Sequence, residues 1–167
     1  MLKPTIPYGI KGVIWYQGEA NVGNYEEYTV LLDGMINDWR SHWNDDFSFY
    51  FAQIAPFIYS TSEISQGLRD AQRKILNVTP KTGMAILLDI GEENDIHPHN
   101  KQDVGKRLAL LALNKDYGFD LVDSGPLYSN HNVKNEYIEI SFDNLGSGLI
   151  AKKPLLGFEI SGQDGMI

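Results

Sequence analysis

Two short polar segments follow apolar runs in this chain, and between them they carry the residue types of an acyl-transfer centre. Trp15-Tyr16-Gln17-Gly18-Glu19 follows Val13-Ile14, and Asn94-Asp95-Ile96-His97-Pro98-His99 follows the run from Ala85 to Leu88. Acyl transfer needs a nucleophile, a base, a group that orients the base, and donors for the oxyanion. His97 is the candidate base, because an unperturbed imidazole titrates at about 6.5 and can move a proton at neutral pH. Glu19 and Asp95 compete to orient it. Asp95 is near in sequence, whereas Glu19 belongs to a different loop and would have to reach across. The Gln17 amide can donate to an oxyanion, and Gly18 lets its backbone N–H approach closely. Asn21 is a weaker polar candidate. No residue reads as an evident nucleophile.

Competing readings attach to the same residues. Gln-Gly-Glu is also a common strand-to-helix turn, and Asp-x-His-x-His can be a helix cap with two surface histidines. Asp95, His97 and His99 are oxygen and nitrogen ligands, so a metal-dependent hydrolase is a further alternative. Glu92 and Glu93 read as solvated loop charges. Trp15, Tyr16, Phe57 and Tyr59 read as core, with those near loop tips able to stack on a sugar.

The elements that must position these residues follow from periodicity. Residues 11–16 read as a short buried strand. Asn24 reads as a helix N-cap with Glu27 three residues on. Tyr28, Leu31, Leu32, Met35, Ile36 and Trp39 then form one apolar stripe, in a helix ending near His42. Phe47 to Ile54 reads as a second strand, stopped by Pro56. Ile64, Leu68, Ala71 and Ile75 mark a second helix ending before Pro80. Met84 to Leu88 reads as a third strand, apolar throughout as parallel strands buried on both faces are. Val104, Leu108 and Leu111 mark a third helix, ending near Tyr117-Gly118. Three β-α units predict an open parallel sheet packed by helices. Ligands bind such sheets outside the carboxyl ends of the strands, where loops 17–23, 55–62 and 89–99 emerge. Both polar segments lie in that set.

The pattern changes after about residue 122. Tyr137 to Phe142 alternates, Leu155 to Ile160 is again apolar-rich, and 161–165 reads as a hairpin turn, so 123–167 is expected to begin a β-rich accessory module. The division is therefore 1–122 and 123–167. The abrupt opening in a Pro-containing loop and the truncated final hairpin suggest a piece of a longer protein.

Composition sets outer limits. The chain has 167 residues, 43% of them hydrophobic, which suits a packed core. Its formal net charge is −8, with no basic stripe of the kind a nucleic-acid surface needs. There is no cysteine, which rules out thiolate chemistry and leaves the compartment unknown. No apolar run reaches membrane-spanning length, and no signal-peptide core follows Met1.

The segment Ile10-Lys11-Gly12-Val13-Ile14-Trp15-Tyr16-Gln17-Gly18-Glu19-Ala20-Asn21 resembles the central block of the sialate O-acetylesterase-like carbohydrate esterases, a branch of the SGNH hydrolases. The stretch from Asn94 to Ala109 resembles their histidine block. Gly125-Pro126-Leu127-Tyr128 and Gly157-Phe158-Glu159-Ile160 resemble the β module that follows. The resemblance implies a flavodoxin-like three-layer partial domain followed by a short antiparallel segment, no cofactor, and an acetylated sugar as substrate, in a family often secreted or periplasmic. It carries over to Gln17, Gly18, Glu19, Asp95 and His97. It also implies a serine nucleophile in a Gly-Gln-Ser-Asn-like block that this sequence lacks; Ser60, Ser62 and Ser65 do not stand in that context. In the family the histidine's partner is sometimes the central-block Glu and sometimes a nearby Asp. The superfamily's Asp-x-x-His position is Asn94 here, one place away from Asp95, which leans toward Glu19. The expected function is serine-type carbohydrate O-acetylesterase, with this chain supplying the acid, histidine and oxyanion parts and being inactive alone. The alternative from another class is a non-catalytic carbohydrate-binding or scaffold piece. A homo-oligomer through an exposed sheet edge is also expected.

Overall fold

The computed structural model describes residues 2–59, 65–151 and 157–162. The chain divides into two compact units, Met1–Gly125 and Pro126–Ile167.

The first unit is built on three parallel strands in the order β1-β2-β3: β1 (Gly12–Trp15), β2 (Ser48–Ala52) and β3 (Thr82–Ala85). The central strand β2 is buried at every position, because both its faces are covered by helices. Register runs Trp15↔Phe51 and Phe51↔Met84, so the three carboxyl ends open on one edge.

Side-chain alternation divides the layers. On one face Trp15, Phe49 and Trp39 form a cluster of tilted and edge-on rings, which seats helix α1 (Tyr25–Trp43). Helix α2 (Ser65–Val78) packs beside α1, and Thr29 Oγ1 donates to Ala71 O at 3.0 Å. On the other face Val104, Leu108 and Leu111 of helix α3 (Lys101–Lys115) pack on Tyr50, Ala52, Ala85 and Leu87. The result is the α/β layered arrangement that the sequence predicts.

Several details differ from expectation. Strand β1 is not buried: Ile14 is 69% exposed, because β1 forms an edge and α3 lies over β2 and β3. Asn24 occupies the N-cap position of α1, but its side chain makes no capping bond. Leu31 falls outside the buried stripe, and Arg40 falls inside it. The Arg40 guanidinium donates to Phe47 O at 2.9 and 3.1 Å and to Pro80 O at 2.9 Å, and its Nε lies 3.4 Å from the Asp46 carboxylate, so its charge is met by carbonyls that end neighbouring segments and by an exposed acid. The helix stops at Asn44, whose left-handed φ of 50° directs its N–H to Arg40 O and Ser41 O. Strand β3 lies two residues earlier than its apolar run, since pairing with β2 runs from Phe49↔Thr82 to Ala52↔Ala85. Leu87 stays buried just beyond it, while Leu88 is exposed.

The second unit is an antiparallel pair, β4 (Leu127–Val133) and β5 (Ile138–Asp143), with a bulge between Tyr128 and Asn130. Periodicity does not reveal β4, whose Ser-Asn-His-Asn centre is polar. Residues 157–160 form no strand, and 155–156, Ile64, Ser60, Ser62 and the 163–165 part of the final turn lie outside the described residues.

Candidate active site

The loop after β1 turns sharply at Gly18 and enters a short 3-10 helix (Glu19–Asn24). Gly18 has φ of 151°, and a Cβ there would lie 3.0 Å from Ile54 Cγ2 and 3.2 Å from Gln72 Nε2. The position therefore requires glycine on both conformational and steric grounds. Gln72, fully buried on the apolar face of α2, holds the turn from below: its Nε2 donates at 3.4 Å to Gln17 O, and its Oε1 accepts from Ile54 N at 2.9 Å. Tyr28 Oη adds a bond to Gln17 O at 3.0 Å. On the side chain of Gln17, Nε2 donates to Asn21 Oδ1 at 2.9 Å, leaving its second N–H without a partner among the described residues.

The loop between β3 and α3 is fastened by its own side chains. Asp95 Oδ1 accepts from the backbone N of His97 at 2.8 Å. Glu92 Oε1 accepts from His99 N at 2.7 Å and meets His99 Nδ1 at 3.1 Å. These bonds from His99 hold the Glu92 carboxyl below its ordinary range. Glu92 stays partly exposed to solvent and also fastens the loop. Asp89 and Arg107 form a bidentate pair at 2.6 and 2.7 Å, which ties the loop's start to α3 and lowers the Asp89 pKa. Asn100 caps α3 reciprocally with Asp103: Oδ1 accepts from Asp103 N at 3.1 Å, and Nδ2 donates to Asp103 Oδ2 at 2.8 Å.

These two loops meet in a cleft of about 500 Å³, including its open mouth, lined by Tyr16, Gln17, Glu19, Ile96, His97 and Lys101. Gln17, Glu19 and His97 thus come together at the carboxyl edge of the sheet. Gly18 is buried and is not among the residues lining the cleft, and Asn21 accepts from the Gln17 amide. Asp95 faces elsewhere: its carboxylate caps the backbone of its own loop and lies 4.0 Å from His99 Nδ1. The His97 ring and the Glu19 carboxylate make no hydrogen bond or ion pair among the described residues. Burial, and then the negative charge of Glu19, push the Tyr16 phenol up.

The metal-ligand set Asp95, His97 and His99 does not assemble. Among the described residues the group that does is Glu92, Asp95 and His99, with ligand atoms within 4.8 Å of one another, and it excludes His97. The Glu92 carboxylate, bonded to His99 N and Nδ1, draws His99 into that group, while His97 lines the cleft. Sequence alone assigns no site role to Lys101 and Gln72, and to Tyr16 only that of a core ring able to stack on a sugar. For Gln72 the signal was available: an amide between Leu68, Ala71 and Ile75 on an otherwise apolar face.

A parallel α/β sheet whose carboxyl edge carries a histidine, a carboxylate and an amide in one cleft is the layered frame expected of an SGNH-like fold. Comparison with known proteins narrows this. The chain is 32% identical over 148 residues to a mouse sialate O-acetylesterase, covering 76% of this chain and 27% of that protein. It is 29% identical to the human sialate O-acetylesterase over the same share of the chain and 28% of that protein. The structure superimposes on a carbohydrate acetylesterase from Xanthomonas citri with a TM-score of 0.81 and 37% identity, covering 87% of this chain and 35% of that one. No family model matches. The chain is a relative of the sialate O-acetylesterase-like carbohydrate esterases, and it spans between a quarter and a third of the length of these two curated relatives.

Proposed function

We propose that these residues form the histidine, carboxylate and oxyanion part of a serine-type carbohydrate O-acetylesterase acting on acetylated sialic acid or another acetylated sugar. The observation that carries the reading is the meeting of Gln17, Glu19 and His97 in one cleft. The names of the relatives support the substrate class.

In this reading the nucleophile is a serine from a segment outside the 167 residues. Its Oγ attacks the acetyl carbonyl as His97 takes its proton. The oxyanion that forms accepts from the free N–H of the Gln17 amide and from the Gly18 backbone. The carbonyl re-forms, the sugar oxygen leaves, and it receives the proton from His97. Water then attacks the acetyl-serine, His97 again serves as base, and acetate departs. Glu19 offsets the charge of the imidazolium in each half-reaction. No cofactor takes part.

The test has two arms. The 167-residue chain alone should leave p-nitrophenyl acetate essentially unhydrolysed; removal of the nucleophile typically leaves only ~10³–10⁴-fold catalysis over water. A turnover on the order of 10 per second would place a nucleophile inside this chain and overturn the assignment. The intact parent should release acetate from acetylated sugars, lose activity to a serine-directed organophosphonate, and keep it in the presence of chelator. Inhibition by chelator alone would replace the serine mechanism with a metal-dependent one.

A further inference from the structure

We propose that Gln72 and Tyr28 are positioning residues for the reaction: by holding the Gln17 carbonyl they turn the Gly18 N–H toward the cleft as an oxyanion donor. The inference rests on the esterase reading above, and it adds which remote side chains set the geometry of that donor.

The carbonyl is held from one side. Gln17 O accepts from Tyr28 Oη at 3.0 Å and from Gln72 Nε2 at 3.4 Å. Tyr28 belongs to α1 and Gln72 to α2, which pack side by side, whereas α3 covers the other face of the sheet. Gln17 O and the Gly18 N–H belong to one peptide unit, and in a trans peptide the two point in opposite directions. With the carbonyl held toward α1 and α2, the N–H is aimed away from them. It faces the α3 side, where Tyr16, His97 and Lys101 wall the cleft. That N–H finds no acceptor among the described residues, although Gly18 is buried. Buried backbone donors are almost always paired. Gln17 and Glu19, on either side of this donor, both line the cleft. An unpaired donor so placed suits an acceptor that exists only while the reaction proceeds.

The other end of Gln72 fixes which way its amide faces. Oε1 accepts from Ile54 N at 2.9 Å, and a backbone N–H can only donate. Nε2 is therefore left to face carbonyls, and it meets Gln17 O and Ala52 O, each at 3.4 Å. One fully buried side chain thus ties the turn after β1 to the end of β2. The 3.4 Å contacts are long, so the shorter Tyr28 bond carries more of the hold on the carbonyl. Neither Gln72 nor Tyr28 lines the cleft, so each acts through the peptide it holds rather than on the substrate.

The experiment uses the intact parent, with p-nitrophenyl acetate as substrate and methylboronic acid as a probe of tetrahedral geometry. The serine oxygen forms a bond to boron, its proton passes to His97, and a boronate oxygen stands where the oxyanion would. Tyr28→Phe keeps the ring and removes the 3.0 Å bond. It should lower kcat about tenfold and leave KM within about twofold. Gln72→Met should lower kcat by about 10- to 100-fold, short of the ~10²–10³-fold that follows outright removal of an oxyanion donor. In each variant the boronate inhibition constant should rise by about the factor by which kcat falls. The pH dependence of kcat/KM should keep its apparent pKa, since His97 is untouched. Ile75→Val, on the same buried stripe of α2, is the control for lost packing: it should lower Tm and leave kcat and the boronate constant within about twofold of wild type. Should Gln72→Met fail to fold, Tyr28→Phe decides alone. Wild-type kcat in either variant, a raised KM at unchanged kcat, or an equal kcat loss in Ile75→Val would overturn the inference while leaving the esterase reading intact. A wild-type parent that neither hydrolyses the ester nor binds the boronate would overturn both.

Discussion

Asp95 and Glu19 are chemically alike, yet their environments predict different consequences of losing the charge. Asp95 uses Oδ1 as an acceptor for the His97 backbone, and an asparagine keeps that oxygen. Asp95→Asn in the intact parent should therefore reduce kcat only mildly. Glu19→Gln should cost up to about 10⁴-fold in kcat, the loss typical when an imidazolium loses its carboxylate, and His97→Ala should cost at least as much. Steady-state kinetics on an acetylated sugar would check this. If Asp95→Asn proves crippling and Glu19→Gln nearly silent, the roles are reversed. Gly18→Ala should lower stability by roughly 1–3 kcal/mol, because the backbone sits at φ of 151° and the new methyl meets Ile54 and Gln72. A thermal melt unchanged from wild type would refute that. At this scale the sequence revealed residue types and their carboxyl-edge placement. It could not reveal Lys101 as a cleft residue, since a lysine opening a helix looks like any solvated charge, nor the Glu92–His99 pairing, which depends on how the loop doubles back.

Among the elements, β1 is the least protected. Its outer edge has no neighbour among the described residues, and Ile14 projects from it at 69% exposure. Unpaired apolar edges recruit other strands. Sedimentation of the isolated chain should therefore show association that rises with concentration, and Ile14→Lys should reduce it. A strict monomer at high concentration would remove the edge as an interaction surface. The helices were legible because burial repeats at helical spacing, as Leu68, Ala71 and Ile75 show in α2. Strand limits were less so. Within the apolar run from Met84 to Leu88, Met84, Ala85 and Leu87 are buried, yet only the first two residues pair with β2. Hydrophobicity reports burial, whereas hydrogen bonding sets where a strand ends. The polar β4 gave no hydrophobic signal at all.

For the molecule as a whole, the opposite end of the sheet contributes to the alkaline limit of the fold. Asp116, just past α3, accepts from Ser48 Oγ at 2.6 Å and from Tyr50 Oη at 2.8 Å. Burial, joined by the Asp116 carboxylate, pushes the Tyr50 phenol up to about 12. Because the folded pKa is raised, the contribution to stability is fully present below the unfolded value of about 10. It is then lost as pH climbs from there toward 12, where the unfolded chain sheds a proton that the folded one keeps. Denaturation midpoints should fall over that interval, and Tyr50→Phe should flatten the fall. An unchanged slope in Tyr50→Phe would show that other groups govern it.

The self-fastened loop that carries His97 has a thermodynamic consequence. Ordering a backbone residue costs roughly 1–2 kcal/mol of conformational entropy. Here the bonds from Asp95 to His97 N and from Glu92 to His99 meet that cost when the chain folds, before any sugar arrives. The histidine's backbone is held in advance, so substrate binding need not freeze it again at each turnover, and more of the binding free energy is left for the transition state.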